Sequence, residues 1–259
     1  MPERTKYTHG TPSWTDLTTT DPEAAQDFYG ALFDWDFNSE PTDQGGTYIT
    51  ASKNKKSAAG IMQQPEAQAE QGMPSMWTSY VSVDDLDKTT GQVEGAGGQV
   101  LMPSMMVMEA GKMAVVGDPS GAAIALWEAN NSIGAEVVNE HGALIWNELM
   151  SADLGAASEF YDQLFGWSPT EEETEVGPYT MFSLEEKVIA GAMAPPMPGI
   201  PNHWAVYFGI DDAESAVKTI TEKGGTVLNG PMEIGVGTIV AAQDPQGATL
   251  HLMQPAPEE

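Results

Sequence analysis

The chain has 259 residues, of which 27 are glycine and 18 proline, and 41% of its residues are hydrophobic. This length fits one large domain or two domains of about 130 residues, with enough apolar residues for a sizeable core. Ten Lys and Arg residues face 38 Asp and Glu residues, for a formal net charge of −28, and cysteine is absent. The composition excludes disulfides and thiolate chemistry, and the charge argues against nucleic acid and anionic membranes as partners.

No apolar run reaches the roughly 18 residues of a membrane-spanning helix, and the first ten residues are polar. We therefore expect a cytoplasmic protein. The acidic residues are spread along the chain, and their local cluster at Glu171–Glu173 predicts a solvated loop. A surface this acidic repels itself unless salt screens it, which leads to the hypothesis that the protein works in concentrated salt.

Residues 12–62 predict the order strand, helix and three strands. Alternation from Trp14 to Thr18 indicates the first strand. Asp21 is a helix N-cap, Pro22 fits the first helical position, and apolar residues at helical spacing continue to Leu32. Three short strands complete the segment, after Trp35 and around residues 48–51 and 58–62.

Residues 77–127 repeat this plan. A strand over residues 78–83 precedes a helix that Asp84 or Asp85 caps. Three more strands follow, around residues 100–102, 112–117 and 122–127. The sequence Asp118-Pro119-Ser120-Gly121 predicts a turn between the last two. The repeating unit is therefore βαβββ.

The second half of the chain repeats the first. Three pairs of motifs are offset by 132 residues: Trp14-Thr15-Asp16-Leu17 with Trp146-Asn147-Glu148-Leu149, Phe28-Tyr29 with Phe160-Tyr161, and Phe33-Asp34-Trp35 with Phe165-Gly166-Trp167. The Asp118 turn motif returns as Asp244-Pro245-Gln246-Gly247, offset by 126. We therefore place two copies of one domain at residues 1–133 and 134–259, each with two βαβββ units.

A paired βαβββ unit with an Asp-capped Phe-Tyr helix, a Leu-Phe-x-Trp sequence and a terminal Asp-Pro-x-Gly turn resembles the vicinal oxygen chelate superfamily. This superfamily includes glyoxalase I, bleomycin-resistance proteins and extradiol dioxygenases. The resemblance spans residues 11–254, and the sequences at 146–149 and 201–204 are similar to those of tandem glyoxalase-like proteins. It implies an α+β fold in which tandem βαβββ units form two cup-shaped mixed sheets, and a cup that usually holds a divalent metal.

Strand alternation predicts which residues face the cups. The residues predicted to face the helices instead are Leu17, Val81, Val83, Val206, Phe208 and Ile210. The predicted ligand-binding residues are Trp14, Asp16, Tyr80 and Trp127 in the first cup and Trp146, Tyr207 and Met253 in the second. The alternative is that Trp14 and Trp146 fill the cups as ordinary core.

The resemblance places metal ligands, usually His or Glu, on the first and last strands of each unit. The matching positions are Trp14, Gly60, Thr78 and Ala125 in the first domain, and Trp146, Gly191, Ala205 and His251 in the second. Among these eight positions, His251 alone has a side chain that commonly binds metals, and Glu148 is predicted to lie in the same cup. Catalytic metals need more protein ligands than these two. We therefore predict no metal site and no cofactor. The alternative is that Glu148 and His251 form a two-ligand remnant of a site for a divalent metal.

Glu148 and His251 are the predicted catalytic residues. A histidine beside a carboxylate suits general acid–base chemistry, and the alternative is a hydrogen-bonded structural pair. His203 is predicted to be a rim or turn residue at the entry to a strand, with contact to a ligand as the alternative. Glu128 is predicted to point away from the first cup.

A methionine cluster stands apart from these residues. It comprises Met102, Met105, Met106, Met108 and Met113. We predict that it packs in the core or at a domain seam, with an adaptable binding surface as the alternative.

The functional prediction is a glyoxalase-like lyase, isomerase or oxygenase that holds a small metabolite in an aromatic-lined cup. The alternatives are a protein that binds or sequesters a small molecule without chemistry, as bleomycin-resistance proteins do, and a structural protein with filled cups. The expected partner is a small-molecule ligand. Since four βαβββ units complete both cups within one chain, either a monomer or a homodimer is feasible.

Overall fold

The computed structural model describes residues 3–42, 45–174 and 177–257. The elements of the first half are β1 (Pro12–Thr19), α1 (Pro22–Phe33), β2 (Asp36–Pro41), β3 (Thr47–Lys53), β4 (Lys56–Gln63), α2 (Glu66–Glu70), β5 (Met76–Ser82), α3 (Leu86–Val93), β6 (Gln99–Val107), β7 (Gly111–Gly117) and β8 (Ala123–Ala129). Those of the second half are β9 (Leu144–Met150), α4 (Leu154–Phe165), β10 (Ser168–Thr174), β11 (Gly177–Leu184), β12 (Lys187–Met193), β13 (His203–Gly209), α5 (Ala213–Glu222), β14 (Thr226–Ile234), β15 (Gly237–Gln243) and β16 (Thr249–Pro255).

Each half of the chain forms one eight-stranded mixed sheet. The strand orders are β2-β3-β4-β1-β5-β8-β7-β6 and β10-β11-β12-β9-β13-β16-β15-β14. The first strands of the two units in each half lie side by side and antiparallel at the centre, and each pairs in parallel with the last strand of its own unit. This arrangement confirms the predicted fold class. The proposed boundary at residues 133 and 134 falls between β8 and β9, and residues 1, 2, 258 and 259 lie outside the described residues.

Asp side chains start the four longer helices. Each accepts a hydrogen bond from the backbone N–H three residues ahead, which satisfies a donor left free at the helix start. These N-caps are Asp21, Asp85, Asp153 and Asp212. Helix α3 is thus capped by Asp85 and not by Asp84. No helix in the described part of the chain is long and apolar enough to span a membrane.

The main hydrophobic core lies between the two sheets. It contains two clusters of buried side chains. Residues of the first and fourth βαβββ units form most of one cluster, and residues of the second and third units form most of the other. Accordingly α1 packs on α5, and α3 on α4. All six residues predicted to face the helices lie in these clusters. The helix-bearing faces of the sheets are therefore joined, and the concave faces point away from each other.

Buried hydrogen bonds join the two halves through the repeated motifs. Trp77 donates to the Tyr29 hydroxyl at 3.0 Å, and Tyr29 donates to Asp244 Oδ2 at 2.9 Å. The repeat-related set is Trp204 to Tyr161 at 2.8 Å and Tyr161 to Asp118 Oδ2 at 3.1 Å. Each Asp-Pro-x-Gly turn thus anchors the helix of the opposite half, which gives the Phe-Tyr and Asp-Pro-x-Gly motifs a structural role.

Two sequence expectations were wrong in detail. Glu171–Glu173 lie on β10, an exposed edge strand, and not in a loop. The methionine cluster lies on edge strand β6, its following turn and β7, where none of the five is buried and Met106 is 57% exposed. An edge strand has a neighbour on one side only, so the methionines of β6 remain partly open to solvent. Met113 lies on the inner strand β7 and packs against the cluster of Tyr80, Ala125 and Trp127.

Candidate functional site

The concave face of each sheet holds a small cluster of aromatic and polar side chains. We call the first cup the group Trp14, Asp16, Tyr48, Tyr80, Met113, Ala125 and Trp127. We call the second cup the group Trp146, Glu148, Met150, Tyr179, Met193, Ala205, Tyr207, His251 and Met253. The structure thus brings together, cup by cup, the predicted ligand-binding residues and the predicted catalytic pair, whose roles stay predictions.

Glu148 lies at the floor of the second cup and is 5% exposed. The Tyr179 hydroxyl donates to its Oε1 and the Tyr207 hydroxyl to its Oε2, both at 2.7 Å. Trp146 Nε1 in turn donates to the Tyr179 hydroxyl at 3.0 Å. The carboxyl group is therefore held on both oxygens, which offsets part of the cost of burying it.

Gly191 lets Tyr179 reach this carboxyl group. Gly191 is paired with Glu148 across the parallel strands β12 and β9. A Cβ atom at position 191 would overlap the Tyr179 hydroxyl, so any larger residue would displace the phenol. Gly60 has the same relation to Tyr48 in the first cup. A glycine is thus required for close approach at both sites.

The first cup is built on the same plan with a shorter acid. Tyr80 donates to Asp16 Oδ2 at 2.7 Å, and Trp14 Nε1 donates to the Tyr48 hydroxyl at 3.0 Å. Tyr80 lies beside Ala125 on the neighbouring strand, where the second cup has His251 beside Tyr207. The first cup therefore has a carboxyl group and two phenols but lacks the imidazole of the second.

Burial controls the protonation of both acids. It raises the pKa of Asp16 to about 6, against the opposing effect of the Tyr80 hydrogen bond. It also raises the pKa of Glu148, although the Tyr207 and Tyr179 hydrogen bonds and the nearby His203 act in the opposite direction. Both carboxylates are therefore stronger bases than an exposed one.

His251 is an imidazole that remains neutral. Its ring stacks on Tyr207, with centroids 4.6 Å apart and planes 25° apart. Burial, with a smaller contribution from His203, lowers its pKa to about 4. Its Nδ1 is buried without a hydrogen-bond partner among the described residues. Tyr207, and not a direct hydrogen bond, connects His251 with Glu148, which corrects the alternative of a hydrogen-bonded Glu148–His251 pair.

The residues of the cups do not fit a metal ion. In the second cup the ligand-like positions carry Trp146, Gly191 and Ala205, and the Tyr179 hydroxyl occupies the space above Gly191. Both oxygens of Glu148 already accept phenol hydrogen bonds. In the described ranges, no three His, Asp or Glu side chains form a group that could hold a metal. Two separated candidate ligands fall short of a catalytic centre.

The two phenols Tyr48 and Tyr179 were missed in the sequence. They are offset by 131 residues, as are Gly60 and Gly191, so the internal repeat contained the signal. Neither tyrosine lies on the first or last strand of its unit, where the predicted cup residues were sought. They lie instead on β3 and β11, the strands that pair with β4 and β12.

The remaining polar candidates lie where they were expected. His203 begins β13 and is half-buried, with Nδ1 2.8 Å from the Pro201 carbonyl oxygen. Glu128 accepts a hydrogen bond from the backbone N–H of Leu86 and forms an ion pair with Lys112, on the face away from the first cup.

Two surface grooves of about 330 and 890 Å³ lie near the start of α1, outside both cups.

Two curved eight-stranded sheets with acid–phenol clusters on their concave faces define a tandem protein of the glyoxalase type. A family model of the Glyoxalase/Bleomycin resistance protein/Dioxygenase superfamily matches residues 11–126 and 143–252. The chain belongs to this superfamily, which confirms the resemblance seen in the sequence.

Two relatives match the chain over nearly its full length. The chain is 42% identical, over the full length of both proteins, to a Mycobacterium tuberculosis protein named "Putative glyoxylase CFP32". It is 33% identical to "Anthracycline biosynthesis protein DnrV" of Streptomyces peucetius, over 96% of this chain and 95% of that one.

Two solved structures share the fold. The 2,3-dioxygenase LapB of Pseudomonas sp. KL28 has a TM-score of 0.66 and 18% identity, covering 96% of this chain and 93% of that one. The Mn(II)-bound glyoxalase of Novosphingobium aromaticivorans has a TM-score of 0.64 and 11% identity, covering 98% and 83%. At these identities the likeness concerns the fold and not the chemistry.

Proposed function

We propose that the protein is a metal-independent lyase or isomerase that moves a proton on a small carbonyl metabolite bound in the second cup. The observation that carries the proposal is the buried Glu148 carboxyl group, held by two phenols and accompanied by the neutral imidazole of His251. Relatives named as a glyoxylase and as a biosynthesis protein support a small metabolite as the substrate.

Glu148 is the proposed base. Its raised pKa makes it a better proton acceptor than an exposed carboxylate, and Tyr179 and Tyr207 hold it in place. When it takes a proton from the carbon next to a carbonyl group, the electron pair of the broken C–H bond moves onto the carbonyl oxygen. For an α-hydroxy carbonyl compound, returning the proton to the former carbonyl carbon, while the hydroxyl proton passes to the other oxygen, gives an isomer. Where the carbon on the other side of the α-carbon holds a leaving group, the carbonyl re-forms, a C=C bond forms and that group departs with its bonding pair, which gives a lyase product.

His251 is the proposed hydrogen-bond donor to that oxygen. With a pKa lowered to about 4, the imidazole is neutral at pH 7 and has one N–H to donate. A neutral donor stabilises the negative charge that develops on the oxygen without itself losing a proton. The raised pKa of Glu148 thus suits it to accept a proton, and the lowered pKa of His251 suits it to donate a hydrogen bond as a neutral group.

The rim of the second cup provides the apolar contacts. Trp146, Met193 and Met253 are half-buried around the floor that Glu148 occupies. Methionine adapts its shape to a ligand, and the indole offers a flat face. Such a lining with few polar groups is typical of small-molecule sites.

The first cup favours binding without turnover. Ala125 occupies the place of His251, and Asp16 that of Glu148. A ligand bound there meets an acid and aromatic walls but no imidazole to stabilise negative charge. We therefore assign the proton transfer to the second cup alone.

Deuterium exchange tests this function. The protein is stripped with EDTA and incubated in D₂O with 2-hydroxyacetophenone, an aromatic α-hydroxy ketone, and NMR follows deuterium uptake at the α-carbon. Glu148→Gln should slow the exchange by at least about 100-fold, because it removes the base. His251→Ala should slow it too, whereas Asp16→Asn, the matched change in the first cup, should not.

Two results would contradict the proposal. If Glu148→Gln exchanged as fast as the unmodified protein, the second cup would not be the site of proton transfer. Calorimetric titration of the stripped protein with Ni²⁺, Zn²⁺, Mn²⁺ and Fe²⁺ should show no stoichiometric binding. Tight binding of one ion per chain would refute metal independence.

A further inference from the structure

His203 stands at the end of the second cup opposite His251. Along β13, Trp204, Val206 and Phe208 point into the core, while Ala205 and Tyr207 line the cup. The alternation of strand residues puts His203 on the same concave face as Ala205. It lies opposite Met150, another residue of the second cup. The imidazole is half-buried there.

Local contacts orient this imidazole. Nδ1 lies 2.8 Å from the Pro201 carbonyl oxygen, which can only accept, so Nδ1 carries the hydrogen and Nε2 has the free lone pair. The preceding residue, Asn202, accepts the N–H of Ala152 at 3.0 Å and donates to the carbonyl of Ser120 at 2.7 Å. Both halves of the protein therefore hold the backbone from which His203 projects.

The internal repeat shows that this feature belongs to the second cup. The residue opposite Thr18 on the central strands of the first sheet is Met76, where the second sheet has His203 opposite Met150. The second cup thus has an imidazole at each end, and the first cup has none.

The strand register places Glu148 between the two histidines. Glu148 lies opposite Ala205, two residues along β13 from His203 and two from Tyr207, the neighbour of His251. A ligand that contacts the Glu148 carboxyl group therefore lies within reach of His203 as well. The Glu148 carboxyl group and the net charge of −28 disfavour an anionic ligand.

We propose that His203 is a specificity-determining residue of the second cup, and that its Nε2 accepts a hydrogen bond from the hydroxyl group of an uncharged aromatic ligand. This inference rests on the proposed function in taking the second cup as a small-molecule site. It goes further in naming the class of ligand and the residue that selects it.

Paired probes test the proposal. The affinities of 2-naphthol and naphthalene are measured at pH 7 by fluorescence titration. One hydrogen bond should make 2-naphthol bind about fivefold to tenfold more tightly. His203→Met, which installs the first-cup residue, should abolish this preference and leave the naphthalene affinity unchanged. His203→Gln, whose amide oxygen reaches near the position of Nε2, should retain it, and the shorter His203→Asn should not.

The outcomes separate this inference from the function on which it rests. If both probes bind and His203→Met keeps the preference for 2-naphthol, His203 does not select the ligand and the inference is overturned. Equal affinities in the unmodified protein would overturn it as well. If neither probe binds, the small-molecule site itself is refuted.

Discussion

Asp16→Asn tests the cost of the buried acid in the first cup. Burial raises the pKa of Asp16 from 3.8 to about 6. The folded protein therefore binds this proton more tightly than the unfolded chain, so the ionised form destabilises the fold above pH 6 and the penalty fades as the pH falls towards 4. At about 1.4 kcal/mol per pKa unit, the penalty is about 3 kcal/mol at pH 7.5 and about 1 kcal/mol at pH 4.5.

Asn does not ionise, and its carbonyl oxygen still accepts the hydrogen bond from Tyr80. The variant should therefore gain about 2 kcal/mol more stability at pH 7.5 than at pH 4.5, relative to the unmodified protein. Urea unfolding followed by tryptophan fluorescence measures this free energy at both pH values. Glu159→Gln, on the exposed face of α4, removes the same charge and corrects for the general repulsion of an acidic chain. A gain that is the same at both pH values would refute the reasoning.

Three further predictions concern the rest of the molecule. Tyr161→Phe removes the hydroxyl that bonds Asp118 across the halves and should lower the free energy of unfolding by about 2 kcal/mol; an unchanged urea midpoint would contradict this. Gly191→Ala should displace the Tyr179 hydroxyl and lower the melting temperature, whereas Gly235→Ala, which has open space, should not. Raising KCl from 0.05 M to 2 M should raise the melting temperature, because salt screens the net charge of −28; a constant value would reject the high-salt hypothesis.

The sequence by itself determined the repeat, the βαβββ units and the inward or outward direction of most strand residues. These features depend on local periodicity, since strands alternate every two residues and helices every 3.6. The prediction that Trp14, Asp16 and Tyr80 share one face was confirmed for this reason. The same logic placed Trp146, Glu148 and Tyr207 together. Alternation along single strands was enough, because all six residues lie on neighbouring central strands.

Only the tertiary structure decided what these residues touch. Tyr48 and Tyr179 enter the cups from strands outside the central pair, across glycines that allow the close approach. The pairing of the first unit with the fourth, and of the second with the third, depends on how two sheets pack. His251 came to stack on Tyr207 instead of bonding Glu148. Such contacts join residues far apart in the chain, so curvature and sheet packing determine them, and local periodicity contains no information about either.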